Sequence, residues 1–124
     1  MLSDYAAYAT LPAIDLARAR QFYEKILGLE IDQETPAGVM YRAKDSRLFV
    51  FPSSFAGTNQ ATAAGFRVPD LTATVKELKG RGVRFEDYDL PNFKTVDGIF
   101  RSPMGQSAWF KDTEGNIIGL VQLD

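Results

Sequence analysis

The chain contains no histidine and no cysteine. Histidine is the side chain best placed to move protons near neutral pH, and cysteine is the usual thiolate nucleophile, so Ser-His-Asp and Cys-His arrangements within one chain are excluded. Disulfides and thiolate-bound metals are excluded with them. The remaining residues capable of acid–base work are carboxylates. Glu86-Asp87-Tyr88-Asp89, followed by Asn92–Gly98, forms an acidic stretch in which Glu86 or Asp97 could serve as a general base if desolvated. A loop of this kind is ordinarily solvated, and no catalytic residue is assigned. Asp112-Thr113-Glu114-Gly115 has calcium-like composition but lacks the spacing of a loop that wraps an ion, and is read as a turn.

Strand alternation places two further sets of residues. Trp109 and Phe110 are adjacent, so on a strand one faces each side of the sheet. Phe66 and Val68 flank Arg67, which sends the guanidinium to the side opposite those two apolar residues. There it suits an anionic group or snorkels at a boundary.

The elements that must position these residues repeat. Ala13-Ile14-Asp15-Leu16 has an echo 55 residues later in Val68-Pro69-Asp70-Leu71. Each Asp is a good N-cap, because its carboxylate accepts hydrogen bonds from unpaired N–H groups of the first helical turn. Leu16, Ala19, Phe22, Tyr23, Ile26 and Leu27 follow at helical spacing up to Gly28. Leu71, Val75 and Leu78 do the same up to Gly80 or Gly82. Strand-like segments come after each helix: 29–33, 38–43 and 47–51 in the first half, and 83–88, 99–102, 107–111 and 116–122 in the second. Residues 53–62, rich in Ser, Thr, Gly and Asn, read as a linker between a first module (1–52) and a second (63–124) within one domain. Neither half buries both faces of its sheet alone, so the halves must pack together.

At 124 residues, 45% hydrophobic and 24% charged, the composition is that of an ordinary globular domain. A net charge of -2 gives no general attraction to nucleic acid or to an anionic membrane. Met1–Tyr8 lacks the basic segment and apolar run of a secretion signal, and no apolar stretch is long enough to span a bilayer, which predicts a cytoplasmic protein.

Residues 14–29, IDLARARQFYEKILGL, resemble the first helix of the glyoxalase/bleomycin resistance/dioxygenase (vicinal oxygen chelate) superfamily. Residues 109–118, WFKDTEGNII, resemble its closing hairpin. With Val68-Pro69-Asp70-Leu71 the likeness covers nearly the whole chain. It implies an α+β fold of two βαβββ modules forming a cup-shaped, largely antiparallel sheet with helices outside. It also implies four metal-ligand positions, which the resemblance places here at Tyr8, Val50, Ala63 and Gly119. Three of these cannot ligate through a side chain, and a lone phenol does not hold a catalytic divalent ion. No metal or other cofactor is therefore expected, nor are the family's Lewis-acid activities.

What the resemblance then implies is metal-independent binding of a small, largely apolar or aromatic molecule in a groove. Tyr8, Tyr41, Leu48, Val50, Arg67, Trp109 and Gly119 are expected to line that groove, with Val121 beside them, and a homodimer is expected to build it. The alternatives are an enzyme of the same fold using side-chain acid–base catalysis or an atypical metal, and a protein-interaction domain with a vestigial cup.

Overall fold

The computed structural model describes all residues 1–124. After a 3₁₀ turn at Leu2–Asp4, the chain forms β1 (Ala9–Ala13) and the helix α1 (Leu16–Gln21). The strands β2 (Glu30–Thr35), β3 (Gly38–Ala43) and β4 (Ser46–Pro52) complete the first half. The second half runs β5 (Thr62–Arg67), α2 (Leu71–Gly80), the short pair β6 (Asp89–Leu90) and β7 (Phe93–Lys94), then β8 (Ile99–Ser102), β9 (Gly105–Lys111) and β10 (Ile117–Leu123). Two four-stranded sheets result, ordered β1-β4-β3-β2 and β5-β10-β9-β8. In each, the first and last strands of the half pair in parallel and the other neighbours are antiparallel. The internal echo is thus a true topological repeat, and the fold is the expected α+β pair of modules.

Both helices start as anticipated. The Asp15 and Asp70 carboxylates accept from the backbone N–H groups of Arg18 and Ala73, each at 3.1 Å. The first helix differs from a plain α-helix beyond Gln21. Phe22–Ile26 is wound as a π-helix, with the Leu27 N–H donating to the Phe22 carbonyl. The wider turn brings both neighbours Phe22 and Tyr23 inward. Phe22 packs on Phe110 and Tyr23 stacks on Tyr41, with ring centroids 6.2 and 6.0 Å apart.

Residues 83–88, expected as a strand, make no regular ladder: Phe85 forms a single bridge with Phe110. The chain there instead descends into the β6–β7 hairpin. Asp87 ties its base, its carboxylate accepting from the Thr95 hydroxyl and the Gly98 N–H, both at 2.9 Å.

One face of each sheet joins the helices in a single core of 18 buried residues, among them Leu11, Tyr23, Tyr41, Val50, Leu71, Phe110 and Ile118. The other face of each sheet carries no helix.

A buried polar knot joins the halves. The turn between β9 and β10 sends Asp112, Glu114 and Asn116 into the first module. Asp112 accepts hydrogen bonds from the Tyr23 hydroxyl, the N–H groups of Glu114 and Asn116, and the Asn116 carboxamide. Asn116 also donates to the Pro12 carbonyl. Glu114, whose side chain has no exposed surface, receives two bonds from the Arg18 guanidinium, at 2.8 and 3.1 Å, and one from the Asp15 N–H. The turn read from sequence is real, and its carboxylates hold the two modules together.

Candidate functional site

Alternation along β9 and β10 builds the site. Ala108, Phe110, Ile118 and Leu120 lie in the core. The residues between them, Trp109, Ile117, Gly119 and Val121, therefore stand on the open face. Gly119 is directly across from Trp109. A Cβ added at Gly119 would lie 3.2 Å from Thr62 Cγ2 and 3.4 Å from Trp109 Cδ1 and Nε1, so the indole and Thr62 together crowd the space beside the glycine.

Around Trp109 gather Tyr88 from the segment before the hairpin, Phe93 from β7 and Phe100 from β8. Phe93 stacks on Phe100 at 4.6 Å between centroids and tilts against Trp109 at 5.2 Å. Tyr88 meets Trp109 edge-on at 5.8 Å and Phe93 at 5.4 Å. All four rings are only partly buried. Between Tyr88, Phe93 and Trp109 and the end of the linker opens a hollow of ≈ 240 Å³, lined also by Ile117, Gln60 and Thr62. A partly exposed aromatic surface backed by a sheet has the chemistry suited to stacking against a flat apolar ring.

The predicted residues separate into three groups. Trp109 and Gly119 are brought together on the open face, where Trp109 lines the hollow. Tyr8 and Arg67 are exposed and lie outside it: Tyr8 edges a separate depression of ≈ 250 Å³ with Arg47 and Gly65, and Arg67 pairs with Val121, two strands from Trp109. Tyr41, Leu48 and Val50 lie on the helix side, which corrects the expectation that they line the groove. Tyr41 and Val50 are sealed in the core, and only Leu48 reaches a surface depression, the one beside Tyr8. Tyr41 donates to Glu24 at 2.7 Å; burial and that carboxylate raise its phenol far above the ordinary range and keep it protonated.

Register explains the error at Val50. Thr10 pairs with Phe49, and its repeat-mate Gly65 pairs with Gly119, so Gly119 corresponds to Phe49. A one-residue slip moves a side chain across the sheet. Ala63 is displaced for a related reason. Thr62 opposes Ile117 and Ala64 opposes Ile118, leaving Ala63 as the extra residue of a β-bulge, turned against the core while Thr62 faces the hollow. The positions where the fold could hold a metal thus present an exposed phenol, a phenyl ring, a threonine hydroxyl and a glycine. No cluster of three or more His, Cys, Asp or Glu exists elsewhere, and this donor set does not fit a divalent transition metal.

Sequence reasoning missed Tyr88, Phe93 and Phe100. Their signal was three aromatic residues in a stretch otherwise rich in Asp, Asn, Pro and Gly, where solvated loops rarely need them. Of the proposed bases, Glu86 lies 3.8 Å from Lys111 beside the hollow. Asp97 is on the far side of the sheet, in a groove with Lys76 and Lys79. Another hollow of ≈ 240 Å³ lies between the helices over Phe66, Phe110 and Leu120. Its charged residues, Arg81 and Glu77, are already paired at 2.8 Å.

Residues 5–120 match the Glyoxalase/Bleomycin resistance protein/Dioxygenase superfamily, and the chain belongs to it. No curated protein sequence matches the chain. Among solved structures, it is similar to the bleomycin-binding protein of bleomycin-producing Streptomyces verticillus complexed with copper(II)-bleomycin, with 22% identity, TM-score 0.71 and 97% of each chain covered. It is also similar to TnmS3, an antibiotic binding protein from Streptomyces sp. CB03234, with 23% identity, TM-score 0.66, and 97% of this chain and 96% of that one covered. A third likeness is to a lactoylglutathione lyase from Agrobacterium tumefaciens, with 22% identity, TM-score 0.67, and 95% and 92% covered. At these identities the likenesses establish the fold. No helix is long and apolar enough to cross a membrane.

Proposed function

We propose that this protein binds a small, largely aromatic molecule without a metal, on the open face of the second sheet, as a ligand-sequestering member of its superfamily. The observation that carries the reading is the partly exposed cluster of Trp109, Tyr88, Phe93 and Phe100, with Trp109 packed against Gly119, the position that the family resemblance assigns to a metal-binding carboxylate. Two of the structural neighbours, the bleomycin-binding and antibiotic-binding proteins, are ligand binders by name, which is consistent with this reading.

The groove is completed by a second copy. Each sheet leaves one face without a helix, and every residue of the edge strand β2 is exposed. The N-terminal segment also presents Met1, Leu2 and Tyr5 at 70–85% exposure. Uncovered edges and apolar surface of this extent are normally closed by association.

Trp109 is the only tryptophan, so titration with planar aromatic compounds should quench or shift its emission saturably. Sedimentation at micromolar concentration should give about twice 13.8 kDa. A panel of planar aromatics that leaves the emission untouched would reject the binding reading, and a monomer at all concentrations would reject the shared groove.

A further inference from the structure

The aromatic hollow continues into a polar one. Sharing Gln60, Tyr88 and Ile117 with it is a hollow of ≈ 430 Å³, whose remaining side walls are Asn59, Glu86 and Lys111. Its floor is backbone. Gly57 of the linker and Gly115 of the β9–β10 turn meet so closely that a Cβ on Gly115 would lie 3.0 Å from Gly57 Cα. One on Gly57 would lie 2.8 Å from the Glu114 carbonyl oxygen. Both glycines have positive φ, 76° and 88°. The contact pins the linker against the turn and holds Asn59 and Gln60 over the hollow. The Asn59 side-chain oxygen accepts from the Ala61 N–H at 3.0 Å, which orients the carboxamide and leaves its NH₂ group to donate elsewhere.

The charge of this annex is balanced. Glu86 Oε1 and Lys111 Nζ stand 3.8 Å apart, beyond hydrogen-bond length, with side chains 35% and 56% exposed. An anion drawn to Lys111 meets Glu86, and a cation drawn to Glu86 meets Lys111. What the walls offer is a mixture: carboxylate oxygens that accept, an ammonium that donates, and two carboxamides that do both. A hydroxyl group likewise both donates and accepts, and a hollow of ≈ 430 Å³ has room for a bulky group bearing several of them.

Resting on the reading that the aromatic cluster binds a planar ring, we infer that the annex takes a neutral, hydroxyl-rich substituent on that ring, of the sugar type. The ligand class is therefore a glycosylated or similarly polyhydroxylated aromatic. The ring stacks among Trp109, Tyr88 and Phe93, and the polar substituent lies over Gly57 and Gly115 between the linker and Glu86.

The test is an NMR titration of the dimeric or monomeric protein as isolated, following the Trp109 indole N–H resonance. Three probes share one ring: 4-nitroanisole, 4-nitrophenyl β-D-glucopyranoside and the zwitterion 4-nitrophenylalanine. The glucoside should bind about tenfold or more tightly than 4-nitroanisole. Glu86→Gln and Asn59→Ala should each cut that advantage severalfold while leaving the Kd for 4-nitroanisole unchanged, which also shows that the variants are folded. Equal affinity for 4-nitroanisole and the glucoside, an advantage insensitive to both substitutions, or tightest binding of the zwitterion overturns the sugar assignment and leaves the aromatic site standing. Failure of all three probes to move the Trp109 signal overturns both.

Discussion

The two halves share a topology strand for strand, and they differ in what they place on their open faces and in their last turns. On the first sheet, Phe49 and Phe51 stack on each other at 6.0 Å. Beside them Asp32 pairs with Arg42 and Arg47 at 2.6 and 3.2 Å, so that face is filled by its own contacts. On the second sheet Gly119 stands at the position of Phe49, and Thr62 and Trp109 crowd the space beside it, Trp109 within an aromatic cluster with a hollow alongside. The first half's last turn spans only Lys44 and Asp45. The second half's is longer and inserts Asp112, Glu114 and Asn116 into its partner module. A repeated fold thus divides its labour: one half is held, and the other holds it and keeps an open site.

If that division is right, the knot is the most sensitive point of the molecule. Asp112→Ala leaves the Tyr23 hydroxyl, two backbone N–H groups and a carboxamide without their acceptor, and should cost about 3–5 kcal/mol in urea denaturation. A change in the other half's turn, Asp45→Ala, removes an exposed side chain and should stay within about 0.5 kcal/mol. Comparable losses at the two positions would erase the asymmetry.

The open faces can be compared by ligand affinity. Trp109→Ala should weaken binding of a planar aromatic by about 1–3 kcal/mol, while Phe49→Ala should leave that affinity within about twofold. A ligand lost equally in both variants would mean that the two faces contribute alike to one groove.

Acid provides a third comparison. Burial alone would raise the Glu114 carboxyl, but the Arg18 guanidinium, the Asp15 N–H and the Thr113 hydroxyl outweigh it and lower its pKa from 4.5 to about 2. A carboxylate depressed on folding contributes stability that is fully present above its unfolded value and lost as the pH falls through the folded one. Stability should therefore decline between about pH 5 and 2, and Glu114→Gln should flatten that decline while lowering stability at pH 7 by about 1–2 kcal/mol. An unchanged acid limb in the variant would assign the dependence to other carboxylates.

The smallest effect is expected on the first sheet's surface. Arg47→Ala breaks an ion pair with Asp32 in which both side chains keep about a third of their surface exposed. It should cost less than about 0.5 kcal/mol, and less again at high salt.

Much of this molecule was legible from residues in order. The two capping aspartates 55 positions apart, the apolar spacing behind each, and the turn glycines Gly28 and Gly115 determine a doubled module, because capping, helical periodicity and positive-φ turns are local. That no histidine or cysteine could stand at the metal positions was likewise a matter of composition. What tertiary structure alone decided is which face each strand residue uses and what gathers beside it. Phe49 rather than Val50 matches Gly119 because the pairing register, invisible in a single strand, sets the alternation. Ala63 turned inward because of a bulge against Ile117. Tyr88, Phe93 and Phe100, distant from Trp109 in sequence, became its neighbours when Asp87 and Thr95 folded the intervening segment back over the sheet. Local patterns specify elements through short-range forces, whereas a binding surface is made of long-range adjacencies that exist only once those elements have packed.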